Sequence, residues 1–143
     1  MRLNLPVNDV EREMKDGEFL VSKTNLKGVI TYVNQPFIEM SGYTKEELIG
    51  QAHNLIRHPD MPPAAFEDFW KTLKQGRPWS GFVKNRAKDG SFYWVFANAT
   101  PINEAGQITG YLSVRSKPTR EHIRAAENLY REMREGHAKV KIN

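Results

Sequence analysis

Three strand-like segments follow one another in the second half of the chain, and a short turn joins each to the next. Trp79–Arg86, Ser91–Pro101 and Gln107–Lys117 are rich in aromatic and β-branched residues. The sequences between them, Ala87–Gly90 and Asn103–Gly106, have the composition of tight turns. Connections this short allow only antiparallel neighbours, because a parallel pair needs a crossover of a dozen or more residues. The chain must therefore fold around an antiparallel meander.

Two further strands and several helices complete the predicted architecture. Phe19–Lys23 and Gly28–Val33 form a hairpin around the turn Asn25–Gly28. The remaining segments have helical spacing: Val7–Lys15, two short helices between Asn34 and Gly50, a short helix and loop at His53–Asp60, a helix from Pro62 to Gly76, and Thr119–Gly136 before a short basic tail. We predict an α+β fold: a five-stranded antiparallel sheet with short helices on one face and flanking N-terminal and C-terminal helices.

Composition excludes several classes of function. Without cysteine, the 143 residues form no disulfide, no thiolate metal site and no cysteinyl cofactor adduct. No apolar run reaches the roughly 18 residues of a membrane span and no signal peptide is visible, so we expect a cytoplasmic segment without direct membrane insertion. The net charge of +4 comes from interspersed basic and acidic residues, which argues against nucleic acid as a partner. Nucleotide-turnover and hydrolase motifs are absent, so an enzyme is not expected.

The segment His53–Asp60 carries the least generic chemistry of the chain. Two imidazoles, a guanidinium and a carboxylate offer charge-assisted hydrogen bonds that suit phosphate or carboxylate oxygens. Two histidines and one aspartate are too few ligands to predict a metal site. The segment therefore indicates a binding site for phosphate or carboxylate groups.

The sequence resembles PAS domains over roughly residues 18–117. The resemblance starts with Asn34–Phe37 and Gly42–Gly50. Within the PAS family, further motifs resemble the N-terminal sensor domains of bacterial aerotaxis receptors: His53–Pro62, Lys74–Gly76, Pro78–Gly81, Lys84–Arg86, Tyr93–Val95, Gly110-Tyr111 and Leu129-Tyr130. The resemblance implies a PAS fold whose function is sensing.

Cofactor, partners and domain organisation follow from this resemblance. It implies non-covalent binding of FAD and a redox signal passed to chemotaxis output domains, without catalysis. Residues 1–17 would be a cap helix, 18–117 the PAS sensor domain, and 118–143 a helix or linker toward an output module. A homodimer is expected, and the full-length receptor would be anchored to the inner membrane.

Eight residues are candidate cofactor contacts: Asn34, His53, Arg57, His58, Trp79, Asn85, Tyr93 and Asn98. By resemblance, Asn85 meets the pyrimidine edge of the flavin. Related flavin-binding domains often carry a second asparagine where this chain has Val95, so Asn98 or main chain would meet the ring edge instead. Arg57 and His58 are candidates for the ribityl and pyrophosphate region.

Several of these residues also have a purely structural interpretation. Trp79 either stacks on the cofactor or packs in the core, and Asn34 either faces the pocket or caps a helix. Arg57 could instead pair with Asp60 at the surface. His53 occupies the position of the reactive cysteine in photosensory relatives, which removes light-driven adduct chemistry.

Strand alternation and helix patterns give further expectations. Trp94 and Phe96 should lie on one face of the sheet and Tyr93 and Val95 on the other, so only one pair can line a pocket. The aromatic residues of the helix after Pro62, namely Phe66, Phe69 and Trp70, are expected in the core. The apolar stripe of the terminal helix either forms a dimer seam or packs on its own domain.

Two other functions compete with FAD sensing. A haem-binding PAS oxygen sensor would use His53 or His58 as axial ligand. A cofactor-free PAS module would only dimerise, and aromatic and leucine side chains would then fill its pocket.

Overall fold

The structure, a computed structural model, describes residues 4–136. One antiparallel sheet has the strand order β2-β1-β5-β4-β3. The elements are β1 (Leu20–Asn25), β2 (Ile30–Val33), α1 (Gln35–Ser41), α2 (Lys45–Leu48), a 3₁₀ helix (His53–Ile56), α3 (Pro63–Lys74), β3 (Trp79–Arg86), β4 (Phe92–Glu104), β5 (Gln107–Ser116) and α4 (Arg120–Arg134). The α+β class and the five-stranded sheet are confirmed.

The hairpin between β4 and β5 is tighter than predicted. Strand β4 continues to Glu104, so only Ala105 and Gly106 form the turn. Both have positive φ, 51° and 81°, which matches the twist that two-residue hairpins need. The predicted turn sequence is therefore correct, but ladder pairing extends into its first two residues.

Strand alternation separates two faces of the sheet, as the sequence predicts. On β4, Tyr93 and Val95 are buried on the inner face, which the short helices and α3 cover. Trp94 lies on the outer face and packs against Ile123 and Ala126 of α4. The helices therefore cover both faces of the sheet, and the inner face carries a cavity.

The predicted N-terminal helix is wrong. Residues 4–17 contain no helix, and the segment runs along the edge of the β3–β4 hairpin. The Asn8 amide donates to the Gly90 carbonyl (2.9 Å), and the Phe92 amide donates to the Val10 carbonyl (2.9 Å). The Asn8 side chain also accepts from the Val10 amide at 2.9 Å, an Asx-type bond that competes with helix formation.

The terminal helix is confirmed between Arg120 and Arg134, with Thr119 as its N-cap. The basic tail after Gly136 lies outside the described residues. Within residues 4–136, no helix has the length and apolar character needed to span a bilayer.

Candidate functional site

A cavity of about 630 Å³ lies between the inner face of the sheet and the helices that cover it. Its wall includes the β1–β2 turn, the 3₁₀ helix and α3 in addition to four strands. This volume falls within the range of roughly 300–1,000 Å³ that is usual for small-molecule sites. The cavity is therefore the candidate ligand site of the fold.

Small side chains make the floor of the cavity. Ala97 lies between Arg115 on β5 and Gly81 on β3, and Ala99 lies beside Ser113. Both alanines are buried and face the cavity. Because they project so little from the sheet, a flat ring can lie close to the strands here.

Aromatic side chains of α3 form the opposite wall. Phe66, Phe69 and Trp70 line the cavity and are half-buried. Phe69 and Trp70 also pack against the buried residues Leu73, Ala99 and Tyr111, so the predicted core position holds for these two and is wrong for Phe66. Their helix presents one apolar face, as expected, but that face looks onto a cavity. The Arg57 guanidinium lies 3.9 Å from the Phe66 ring centroid, within cation–π range. Arg57 is thus a wall residue, and the predicted alternative of an ion pair with Asp60 does not occur.

Two buried polar groups on the wall have no hydrogen-bond partner within the described chain. They are the Asn85 side-chain nitrogen and the Thr24 hydroxyl. Asn85 is 3% exposed and Thr24 is 8% exposed. A buried donor without a hydrogen-bond partner lowers the stability of a protein by about 1–3 kcal/mol. Such groups are therefore expected where a water molecule or a ligand supplies the hydrogen bond. Both therefore point to a polar ligand edge in the cavity.

A buried guanidinium and an imidazole make a second polar patch. Arg115 donates to His53 Nε2 at 2.7 Å, and the Ser22 hydroxyl lies 3.1 Å from the same nitrogen. Since arginine has only donors, Nε2 accepts and the neutral His53 ring carries its proton on Nδ1. Burial, with the nearby Arg115 charge as a smaller cause, lowers the pKa of His53 to about 3. His53 is thus a neutral acceptor at physiological pH.

His58 lies behind the wall and does not line the cavity. It is 3% exposed, and its Nδ1 accepts from the Asp60 amide at 3.0 Å. Burial, followed by the Lys84 charge, lowers its pKa to about 4. Asp60 does not cap α3; its carboxylate binds Lys84 at 2.8 Å, and its carbonyl accepts from Arg134 of α4 at 2.6 Å. This segment connects the cavity wall to β3 and α4.

Four other candidates also have structural positions. Asn34 is the N-cap of α1 and accepts from the Phe37 amide at 3.1 Å. Trp79 packs on Phe69, with ring centroids 5.0 Å apart, and backs the wall without lining it. Tyr93 is 1% exposed in the core, and burial raises its pKa. Asn98 is exposed and accepts from the Ser80 hydroxyl at 2.6 Å, so it cannot replace the missing second asparagine.

Of the eight candidates, the structure places His53, Arg57 and Asn85 on the cavity wall. Sequence reasoning missed Ser22, Thr24 and Arg115. Strand alternation could have identified these residues from the sequence. Polar residues occur at every second position of two strands, namely Ser22 and Thr24 of β1 and Ser113 and Arg115 of β5. Polar residues repeated on the buried face of a strand indicate a polar pocket. The described residues contain no cluster of three or more side chains suited to a metal ion.

Residues 30–115 match the family model described as PAS fold. The chain belongs to the PAS-fold family. This PAS domain is 51% identical over 130 residues to the aerotaxis receptor of Escherichia coli K12, in an alignment that covers 91% of the chain and 26% of the receptor. It is 34% identical over 95 residues to a nitrogen fixation regulatory protein of Klebsiella pneumoniae, covering 66% of the chain and 19% of that protein. The chain thus spans about a quarter or less of these relatives.

Solved structures agree with the family assignment. The structure described as "Flavin Analogue Sheds Light on Light-Oxygen-Voltage Domain Mechanism" has a TM-score of 0.67 and 27% identity, and the match covers 82% of this chain and 87% of that one. The light state of the blue-light photoreceptor Aureochrome1 LOV has a TM-score of 0.68 at 20% identity, covering 79% and 90%, and shows the shared fold. The predicted resemblance to PAS domains and aerotaxis receptors is confirmed.

Proposed function

We propose that this PAS domain binds FAD non-covalently in the cavity and acts as the redox sensor of an aerotaxis-type transducer, without catalysing a reaction. The observation that carries the proposal is the side-chain nitrogen of Asn85, which is buried on the cavity wall and has no hydrogen-bond partner among the described residues. An amide can meet the alternating donors and acceptors of a flavin pyrimidine edge. Similarity to an aerotaxis receptor and to a domain studied with a flavin analogue supports the choice of cofactor.

The rest of the cavity fits the parts of FAD. Its alanine floor and aromatic wall suit the flat ring system, and the Thr24 hydroxyl adds a second polar group. Lys27 and Lys74 are exposed residues of the wall and, with Arg57, offer cations to the pyrophosphate. The cavity therefore offers partners for the ring system and the pyrophosphate of FAD.

A path for the signal leads from Asn85 to α4. Bound flavin supplies redox chemistry that changes the charge and protonation of its ring edge. The Asn85 side chain can present either oxygen or nitrogen to that edge, so its orientation follows the change. The backbone of Asn85 pairs with that of Arg57, and the adjacent Lys84 binds Asp60, whose carbonyl accepts from Arg134. We propose that this chain of contacts transmits the state of the cavity to α4.

The competing functions have less support. A haem ligand needs a free imidazole nitrogen, but His53 Nε2 accepts from Arg115 and His58 lies behind the wall. A cofactor-free module would fill its pocket with side chains, whereas here a cavity of about 630 Å³ separates α3 from the sheet.

An absorption spectrum of the purified domain with FAD, before and after dithionite, tests the proposal. We expect bound flavin that bleaches on reduction, and no Soret band. Asn85→Ala should bind FAD roughly 5- to 30-fold more weakly, because one buried hydrogen bond is worth about 1–2 kcal/mol here. Asn98→Ala is the matched control, since it removes an exposed amide from the other face of the sheet. A folded but colourless domain, or equal affinities for both variants, would contradict the assignment.

We further propose that the domain works as a homodimer and signals to output domains of a longer receptor, as its relation to the aerotaxis receptor suggests. Sedimentation velocity of the FAD-loaded domain tests the first part. A monomer at every concentration would count against a dimer formed by these residues alone.

A further inference from the structure

Arg115 is a buried cation without a buried counter-ion. The residue is 5% exposed, and no carboxylate pairs with it in the described part of the chain. Its other contacts are the Leu20 carbonyl at 3.4 Å and the Phe37 ring, whose centroid lies 5.2 Å from Cζ. With His53 neutral, these three contacts of the Arg115 guanidinium are all uncharged.

Such an arrangement is costly unless a ligand compensates it. Removing a cation from water without an opposite charge costs several kcal/mol. Burial lowers the pKa of Arg115 to about 10, so the side chain still carries its charge near neutral pH. The guanidinium therefore places a lasting positive charge on the cavity wall.

Arg115 lies at a different place in the cavity from the lysines that could bind phosphate. Arg115 lies on the central strand β5, between Leu20 of β1 and Ala97 of the alanine floor. Lys27 and Lys74, in contrast, are exposed residues of the wall. A solvated pyrophosphate suits the exposed lysines, whereas the buried guanidinium suits charge on a ring lying over the floor.

We propose that Arg115 forms an anion subsite for the negative charge that reduction places on the flavin ring, so that the cavity binds reduced flavin more tightly than oxidised flavin. This inference rests on the proposed function. Two electrons and one proton convert the neutral oxidised ring into a reduced ring with one negative charge, and the electrons come from an external reductant, dithionite in the test. The favourable interaction between guanidinium and anion then raises the midpoint potential.

The test measures dissociation constants of oxidised and dithionite-reduced riboflavin, FMN and FAD. We expect the wild-type domain to bind each reduced ligand at least tenfold more tightly, which for a two-electron couple equals about 30 mV. Arg115→Met should lose this preference with all three ligands, and Arg115→Lys should retain part of it. Arg86→Met is the matched control, because Arg86 is also buried, at 6% exposure, but does not line the cavity.

A ligand-free measurement checks the charge itself. In Arg115→Met, the pKa of His53 should rise above about 3 by nuclear magnetic resonance, because the neighbouring cation contributes to its depression. Burial, the larger cause, should still keep it below its ordinary value of about 6.5.

The outcomes separate the inference from the proposed function. Equal affinity of the wild type for oxidised and reduced ligands overturns the anion subsite while FAD binding stands. Weaker binding of FMN and FAD in both states, with riboflavin unchanged in Arg115→Met, assigns Arg115 to phosphate and also overturns it. If the folded wild type binds no flavin, both proposals fail. If circular dichroism shows that Arg115→Met is unfolded, two other results test the anion subsite. They are the ratio of the wild-type dissociation constants for oxidised and reduced ligand, and the same ratio for Arg115→Lys.

Discussion

Neighbouring residues of the segment His53–Asp60 have different structural roles. His53 and Arg57 line the cavity, whereas His58 and Asp60 hold the wall from behind. The two histidines share one property, because burial is the largest cause that lowers the pKa of each, to about 3 and about 4. The residue types alone identified this segment in the sequence as a candidate site. Only the structure shows which of its residues line the cavity and which support the wall.

The buried histidines make stability depend on pH. Because the pKa of His58 is lower in the folded state than its ordinary value of about 6.5, the unfolded chain binds more protons between these values. The free energy of unfolding should therefore fall as pH drops from about 6.5 to about 4, by at most about 1.4 kcal/mol per pH unit for each histidine. His58→Asn, whose side-chain oxygen can accept from the Asp60 amide, should flatten the fall. Urea titrations at several pH values measure it, with the exposed His122→Asn as control. An unchanged slope in His58→Asn would exclude His58 as its source.

At the scale of elements, α4 belongs to the domain. The apolar stripe of this helix, for which the sequence left a dimer seam open, packs on Trp94 of its own sheet through Ile123 and Ala126. The Tyr130 hydroxyl also donates to the Phe82 carbonyl at 2.6 Å. Strand β3 and α4 are therefore in direct contact.

Truncating this contact should destabilise the domain. Ile123 is 5% exposed, so Ile123→Ala should lower the free energy of unfolding by about 2–4 kcal/mol. Leu129→Ala on the same helix is the control and should cost little, because Leu129 is 44% exposed. Chemical denaturation of both variants gives the comparison. Equal losses would mean that the outer face of α4 is also covered in solution.

An element could be predicted from the sequence when its hydrogen bonds and apolar contacts form between residues that are close in the chain. Strands and helices with local periodicity, such as β1 and α4, could be predicted because one buried face imposes a period of 2 or 3.6. The N-terminal segment could not, since its amides bond to Gly90 and to residues of β4 far along the chain. The aromatic face of α3 showed the right pattern, but a pattern does not tell whether an apolar face meets side chains or a ligand.

At the scale of the whole molecule, the fold encloses space that its own side chains do not fill. Protein interiors are close-packed, and a ligand that binds only the folded state stabilises it by mass action. FAD at about 100 times its dissociation constant should add about 2.7 kcal/mol and raise the Tm by roughly 5 to 10 °C. Differential scanning fluorimetry with and without FAD measures this shift.

Filling the cavity should abolish the shift while preserving the fold. Ala97 is 4% exposed on the cavity floor, and Ala97→Leu would project its side chain into the space over the sheet. Because the added methyl groups enter a cavity and not a packed core, the ligand-free Tm should stay close to that of the wild type. The FAD-induced shift should be lost, since the ring can no longer approach the strands. Ala125→Leu, on the exposed side of α4, adds the same volume and should keep the full shift. If Ala97→Leu retains the shift, FAD binds elsewhere on the domain, and the unpartnered side-chain nitrogen of Asn85 would need a different ligand.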